Sequence, residues 1–527
     1  MAPNSEHQGM MRSAGAMSIT TMLSRILGYF RDNLQATLLG AANSSDAFII
    51  AFRIPNLLRR LVGEGALTSA FVPTFSRYLH EGDRQKLWRF ANRMFYTLLM
   101  VVTALTILGI VFSPQLVKVL AYGFRVSPDK WDLTIRLNRL MFPYIFCISL
   151  AALASGILNS LDSFALPAFT PVLLNLAIIA AALLFSRKFS NPAYAFAWGV
   201  LIGGALQFLV QVPFLLRKGM TFRPEASFTD PGIRQVGRLM LPRIFGAGIT
   251  QINLIVDSQF ASSLAVGSVS HLYYAGRVTE LTLGIFAISL STVILPALSR
   301  LAAEGRAEEV RETLRNALQL ITFICLPAAV GLIALRVPIT SILFERGRFD
   351  AEATRFTASA LGYYSVGLLP FAAVNVLAAA FYAHQDTRTP VKIGMLTFFV
   401  HLGLNFALRG PLLAGGIALS TSISAVLDMA LLFLLFSRRS GPLWVPTFGR
   451  SLWVTSAASV ALGLVAGACS SSTWLESGEP LFLRALTLFA IITASAAVFL
   501  LTARALGSQE VRQVLSLLPG RFRGGKG

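Results

Sequence analysis

Apolar residues recur along the chain in runs of about 20, separated by short polar connections. The runs fall at about 17–39, 46–79, 91–113, 135–159, 166–186, 193–216, 239–262, 267–298, 317–337, 357–382, 391–408, 412–436, 452–469 and 481–504. At about 1.5 Å of rise per residue, each can cross a hydrocarbon core about 30 Å thick. The pattern therefore predicts an all-α polytopic membrane protein with about fourteen transmembrane helices. Several runs are imperfect. The first two carry charges, and the second contains Pro55, Gly63, Gly65 and Pro73. Such interruptions are tolerated where a helix faces a bundle interior or an aqueous cavity.

Composition agrees: the 527 residues are 55% hydrophobic and 13% charged, with mean hydropathy +0.65. Soluble domains carry roughly 25% charged residues, so a soluble enzyme is excluded. The net charge of +20 would suggest nucleic acid in a soluble protein. Here the basic residues cluster in short loops, where positive-inside topology accounts for them. Arg84, Lys86, Arg89 and Arg93 follow the second run, and Arg217, Lys218, Arg223, Arg234 and Arg238 follow the sixth. Arg438 and Arg439 follow the twelfth, and Arg521, Arg523 and Lys526 end the chain. The connections near 40–45, 262–270 and 470–480 have neither Lys nor Arg, while those at 114–134 and 338–356 are mixed. Both termini are expected to be cytoplasmic. Cys147, Cys325 and Cys469 lie in or beside apolar runs without metal-ligand spacing. The first 16 residues lack the apolar core of a cleaved signal peptide.

The two halves of the chain resemble each other. Pro73 and Arg77 in VPTFSR recur 223 residues later as Pro296 and Arg300 in LPALSR, and Glu81-Gly82 recurs as Glu304-Gly305. Pro114 answers to Pro338, Gly123-Phe124 to Gly347 and Phe349, Asp162 to Asp386, and Pro167 to Pro390. An offset of about six helices gives two copies of the same orientation, related by an axis along the membrane normal. The expected organisation is a polar tail (1–16), an N-lobe of helices 1–6 (17–220) and a C-lobe of helices 7–12 (221–440). Helices 13–14 (441–505) and a basic tail (506–527) complete it. Two homologous lobes around a midplane cavity are the architecture of an alternating-access transporter.

Charges inside the apolar runs carry the chemistry. Arg25 and Asp32 lie two turns apart on one face of the first helix, with Arg31 displaced by one residue. The second run holds Asp46, Asn56, Arg59, Arg60 and Glu64. Asn56 and Arg59 share a face, and Arg60 can pair with Glu64. The eighth holds Arg277 and Glu280. An arginine at bilayer depth costs about 2.5–3.5 kcal/mol, so Arg25, Arg31, Arg59 and Arg277 would together cost about 10–14 kcal/mol if lipid-exposed. That equals the whole stability of many domains. These four are expected to line a cationic cavity, since the planar guanidinium suits phosphate and carboxylate oxygens. Asp32, Asp46, Glu64 and Glu280, with Asn56 and Arg60, are read as orienting the arginines or locking a gate.

The stretches SRILGYFRD, SSDAFIIAFRIPNLLRRLVGEGALTSAFVPTFS, YYAGRVTELTLGIFAISLSTVILPALSR and QDTRTPVKIG closely resemble the MurJ (MviN) lipid II flippase family. The resemblance spans about residues 17–505. It implies fourteen helices in the multidrug/oligosaccharidyl-lipid/polysaccharide exporter fold, residence in the bacterial inner membrane, and a role in cell-wall biogenesis. It also implies transport of undecaprenyl-pyrophosphate-linked disaccharide-pentapeptide to the outer leaflet, with cell-wall synthesis proteins as further partners. The family's functional arginines fall on Arg25, Arg31, Arg59 and Arg277, and its acidic positions on Asp32, Asp46, Glu64 and Glu280. Gly276 departs from relatives that carry an acid before the arginine. The last two helices have no counterpart in the repeat and are candidates for a groove holding the lipid tail.

Asp257, an acid among apolar neighbours, is expected to pair, to take up a proton, or to bind sodium with Asn405 and Thr421; His401 would be an unusual neighbour for that ion. Membrane potential is an alternative driver. Lys392 and Arg388, in a predicted cytoplasmic loop, either set topology or attract anionic headgroups. No catalytic constellation, phosphate-binding glycine loop or cofactor motif is present in the sequence, so no enzyme is expected. The rival readings are an exporter of another polyprenyl-linked oligosaccharide or of a cationic drug (which four arginines contradict), a scaffold for cell-wall enzymes, and a polytopic glycosyltransferase. The last is disfavoured by short outward loops without clustered acids.

Overall fold

The computed structural model describes residues 3–59, 67–475 and 478–511. Arg60 and Glu64 lie outside the described residues. The chain is helical throughout, in the order α1 Pro3–Leu39, α2 Asn43–Leu58, α3 Thr68–His80, α4 Arg84–Val111, α5 Ser113–Ala121, α6 Pro128–Met141 and α7 Tyr144–Ser160. There follow α8 Ala165–Phe185, α9 Ala193–Leu209, α10 Val212–Lys218, α11 Pro231–Ser262, α12 Ser268–Ala303, α13 Ala307–Ala334 and α14 Arg336–Phe344. The last six are α15 Ala351–Val366, α16 Leu368–Ala383, α17 Arg388–Leu412, α18 Ala414–Ser440, α19 Pro446–Cys469 and α20 Leu481–Ala505.

Among the described residues, ten segments are long and apolar enough to cross a membrane, so the chain is a multi-pass membrane protein. Three of them, Pro128–Ser160, Ala193–Lys218 and Ala351–Ala383, run through paired helices. Outside this set, besides the short helices α5 and α14, lie four stretches: α1, α2 with α3, α11 and α12. The first of these carry the charges, and α11 and α12 include residues whose side chains are not described. Ten spans with these four stretches are compatible with the expected fourteen.

By contacts the chain divides into two units, one of Met1–Ser270 with Arg346–Phe349, the other of His271–Glu345 with Asp350–Gly527. In the first, Phe71, Phe75, Phe90, Leu98, Leu150 and Ile157 join α3, α4 and α7. A second cluster, including Leu39, Phe48, Leu137, Tyr144 and Phe196, joins the end of α1 to α2, α6, the start of α7 and α9. The second unit is built on Leu298, Leu314, Leu318, Val376, Phe381 and Phe436, from α12, α13, α16 and α18. The last two helices pack onto it: Phe323 of α13 meets Val454, Leu462 and Phe499. Near the start of α20, buried Arg484 donates to Ser341 Oγ of α14, whose hydroxyl donates to Glu345 Oε2 at 2.5 Å. An arginine so buried needs such a chain of acceptors.

Polar loops are fastened by the same economy. Arg93 of α4 donates to Glu225 and, at 2.9 Å, to Asp230, which also accepts from Gly232 N and Ile233 N in the first turn of α11. In the second unit Asp386 accepts from Thr389 Oγ1 at 2.6 Å and from Thr389 N and Arg388 N, at the start of α17, and from Arg439 at 2.7 Å. The Thr389 hydrogen bonds, with Arg439 beside them, hold the Asp386 carboxyl down at about 2. A depressed carboxyl stabilises the fold above the ordinary carboxylate range, and this contribution fades as pH falls through about 2. Asp386→Ala is expected to lower the melting midpoint at neutral pH by the loss of a helix-start acceptor, about 1 kcal/mol. Melting curves on purified protein should show the gap to wild type closing between about pH 4 and pH 2.

Candidate substrate cavity residues and gate

In the first unit, Arg25 is exposed on α1 and forms no ion pair among the described residues. Arg31 is held differently. Its Nε and Nη2 donate to Asp32 Oδ1 at 3.0 and 2.7 Å, and its Nη1 donates to Asn175 Oδ1 of α8 at 3.1 Å. Asn175 in turn donates through Nδ2 to the Ser24 carbonyl at 3.1 Å. One buried amide thus spans two turns of α1, gripping its backbone at one end and the Arg31 fork at the other. With side-chain exposures of 12% and 7%, the Arg31–Asp32 pair is desolvated enough for these bonds to fix its geometry.

On α2, Arg59 Nε donates to Asn56 Oδ1 at 2.9 Å, the contact that one helical turn provides. Arg53, one turn earlier on α2, donates to Ser258 Oγ of α11. Asp257, beside that serine, is half-buried.

Asp46 is the most fully enclosed acid of the set, at 1% exposure. It accepts from Lys130 Nζ at 2.6 Å, from Ser270 Oγ at 2.6 Å, and from the N–H groups of Ser270 and Gly267 at 2.9 Å. Two of these donors are backbone amides at the N-terminus of α12, where a helix lacks internal acceptors and carries partial positive charge. Lys130 also lies 3.9 Å from the centroid of the Phe124 ring. Asp46 therefore ties the start of α2 to the start of α12 and to α6.

In the second unit, Arg277 donates to Glu280 Oε2 at 3.0 Å and to Tyr273 Oη at 3.2 Å, its guanidinium 5.1 Å from the Tyr273 ring centroid. Asn405 Nδ2 lies 2.8 Å from His401 Nε2, and Thr421 Oγ1 donates to its own helix at Ile417 O. Among the described residues no cluster of three or more His, Cys, Asp or Glu could hold a metal ion. A sodium site built from amide, hydroxyl and single carboxylate oxygens has another composition.

Three of these partners escaped the sequence reading. Asn175 carries a signal, a lone amide in the apolar run VLLNLAII, which buried polar groups in membranes make worth attention. Arg53 lies three residues from Asn56 and could have joined the same list. Lys130 sits in a mixed connection and nothing in its neighbours marks it.

With this geometry in view, comparison with known proteins is decisive. The family model described as lipid II flippase MurJ matches residues 35–493. The chain belongs to the lipid II flippase MurJ family. A probable lipid II flippase MurJ of Vibrio cholerae is 37% identical over 503 residues, covering 93% of this chain and 95% of that protein. A lipid II flippase MurJ of Burkholderia cenocepacia is 36% identical over 473 residues, covering 88% and 91%. Among solved structures, a lipid II flippase MurJ in an inward closed conformation superposes with TM-score 0.75 at 28% identity, over 92% of this chain and 98% of that one. An inward-facing MATE family transporter of the MOP superfamily has TM-score 0.66 at 17% identity, covering 81% and 98%, and shares the fold.

Within this family setting, the buried Asp46–Lys130 pair makes an unambiguous mutational test. Lys130→Met leaves a buried carboxylate without its cation and is expected to cost about 3–5 kcal/mol. Asp46→Asn/Lys130→Met, which removes both charges, should recover much of that loss in a thermal melt. For Asn175, replacement by Leu should slow transport at native expression, and its defect should not add to that of Arg31→Ala, as a double-mutant cycle would show.

Proposed function

We propose that this chain is a lipid II flippase. It carries the undecaprenyl-pyrophosphate-linked disaccharide-pentapeptide from the inner to the outer leaflet of the bacterial cytoplasmic membrane by alternating access. The observation that carries this reading is the family match over residues 35–493, with named lipid II flippases aligned over about nine-tenths of the chain. The chemistry agrees with it. Lipid II offers a pyrophosphate and peptide carboxylates, and the charged residues that the apolar runs tolerate are mainly arginines.

In this reading Arg25, Arg31, Arg59 and Arg277 grip the headgroup oxygens, and Asp32, Asn56 and Glu280 set their orientation. Arg25 is exposed and outside any ion pair among the described residues, so it is suited to first contact with the pyrophosphate. Arg31 is already oriented by Asp32 and Asn175. The polyprenyl tail cannot enter a polar cavity, and α19 and α20 provide an apolar surface for it. Asp46 locks a gate. The chain acts as a transporter, not as an enzyme, and draws on an ion gradient or on membrane potential. Asp257, Asn405 and Thr421 are the residues to examine for sodium or proton coupling. Both termini lie in the cytoplasm, which puts the connections 40–45, 262–270 and 470–480 outside.

The test is leaflet exposure of lipid II in cells depleted of their own flippase and supplied with this chain. An impermeant toxin that cleaves lipid II, added outside, reports the exposed fraction. The wild-type chain is expected to restore cleavage. Arg25→Ala, at equal expression, should forfeit one charge-assisted bond of about 1.5–3 kcal/mol, roughly a 10- to 100-fold loss. Restoration by both would remove Arg25 from the proposed grip. Restoration by neither, despite correct insertion, would move the substrate to another polyprenyl-linked glycan.

A further inference from the structure

Two loops separated by one repeat length each fasten the first helix of the other repeat. In the first repeat, a short 3-10 turn, Tyr122–Val126, follows α5. Tyr122 N donates to Gln259 Oε1 at 2.9 Å and Gly123 N to Ser262 Oγ at 3.1 Å, both in the last turn of α11. In the second repeat, Arg346–Phe349 follow α14 and pack within the first unit. There Arg348 N donates to Thr37 O at 2.9 Å and Arg346 Nη1 to Asn33 Oδ1 at 3.2 Å, towards the end of α1. The helix ends Leu39 and Ser262 are themselves 223 residues apart.

At both places a glycine is pressed against the helix it holds. A Cβ on Gly123 would fall 2.4 Å from Ser262 O, and one on Gly347 would fall 2.5 Å from Thr37 O. Gly347 also has φ +59°, a conformation that disfavours a side chain. The aromatic residue just beyond each glycine, Phe124 or Phe349, is buried at 2% or 1% exposure. The first loop is joined to the Asp46 lock, because Lys130 contacts the Phe124 ring and pairs with Asp46. The hydrogen bonds from loop to helix end are each worth about 0.5–1.5 kcal/mol. That is enough to bias a closed state and small enough to be released in every cycle.

We infer that these loops are a pair of repeat-related clasps that hold this face closed, and that both release when it opens. The inference rests on the alternating-access reading, in which this is the outer face. Gly123→Ala and Gly347→Ala test it, in a background without the native cysteines and with a reporter cysteine at Ala36 or Ala261. These two positions, at 0% and 3% exposure, lie in the clasped helix ends. Labelling by an impermeant maleimide from outside is expected to rise several-fold in either glycine variant. Gln259→Ala and Arg346→Ala remove a clasp bond without adding an atom and should raise it less, in the same direction. If the glycine variants fail to accumulate, these two decide the matter. Native labelling in well-inserted variants would overturn the clasps. Because labelling needs no lipid II, a rise in labelling in the variants while the wild-type chain exposes no lipid II would leave the clasps standing and sink the flippase reading instead.

Discussion

A charge in hydrocarbon must find an opposite charge, a dipole or water, and most of what is distinctive in this structure answers that demand. Arg31 leans on Asp32 and Asn175, Arg59 on Asn56, Arg277 on Glu280 and Tyr273, and Arg484 on Ser341. Asp46 gathers four donors. None of these groups is stabilising by itself, since desolvation consumes most of the Coulomb energy. What the pairings provide is definition. A helix that carries an arginine satisfied from one neighbour can neither rotate nor slide without leaving that arginine unsatisfied.

The same demand gives the two kinds of arginine different capacities. Arg31 is held: Asp32 and Asn175 fix its fork in one geometry. Arg25 is exposed and outside any ion pair among the described residues. In the proposed grip, a headgroup would gain speed of capture from the exposed residue and geometric selection from the held one.

Much of this was legible in the sequence, for physical reasons that also set the limits. Helix length and apolar content alone placed spans such as α8, α9 and α20, because lipid leaves a spanning segment so little choice. The charged residues announced themselves by their cost, and motif resemblance identified the family. The partners of those charges were less visible. The i,i+3 contacts Asn56–Arg59 and Arg277–Glu280 follow from helical geometry and could be read directly. Asn175, Lys130 and Ser258 reach their partners from 84 to 205 residues away, and no local rule encodes such a distance. The chain's two-fold sequence similarity was legible too, but its role in exchanging loops between helix ends needed coordinates.

That exchange bears on ancestry. When one copy holds its counterpart by the same surface that its counterpart uses in return, the contact is isologous, the kind that closes a two-fold dimer. A half-length protein with a single glycine loop and a single first helix would build both attachments simply by meeting a second copy of itself. Fusing the two genes would then preserve the pairing while freeing each half to diverge. Asp46 has no acidic equivalent one repeat later, where Val269 stands, and that is the kind of asymmetry such freedom allows.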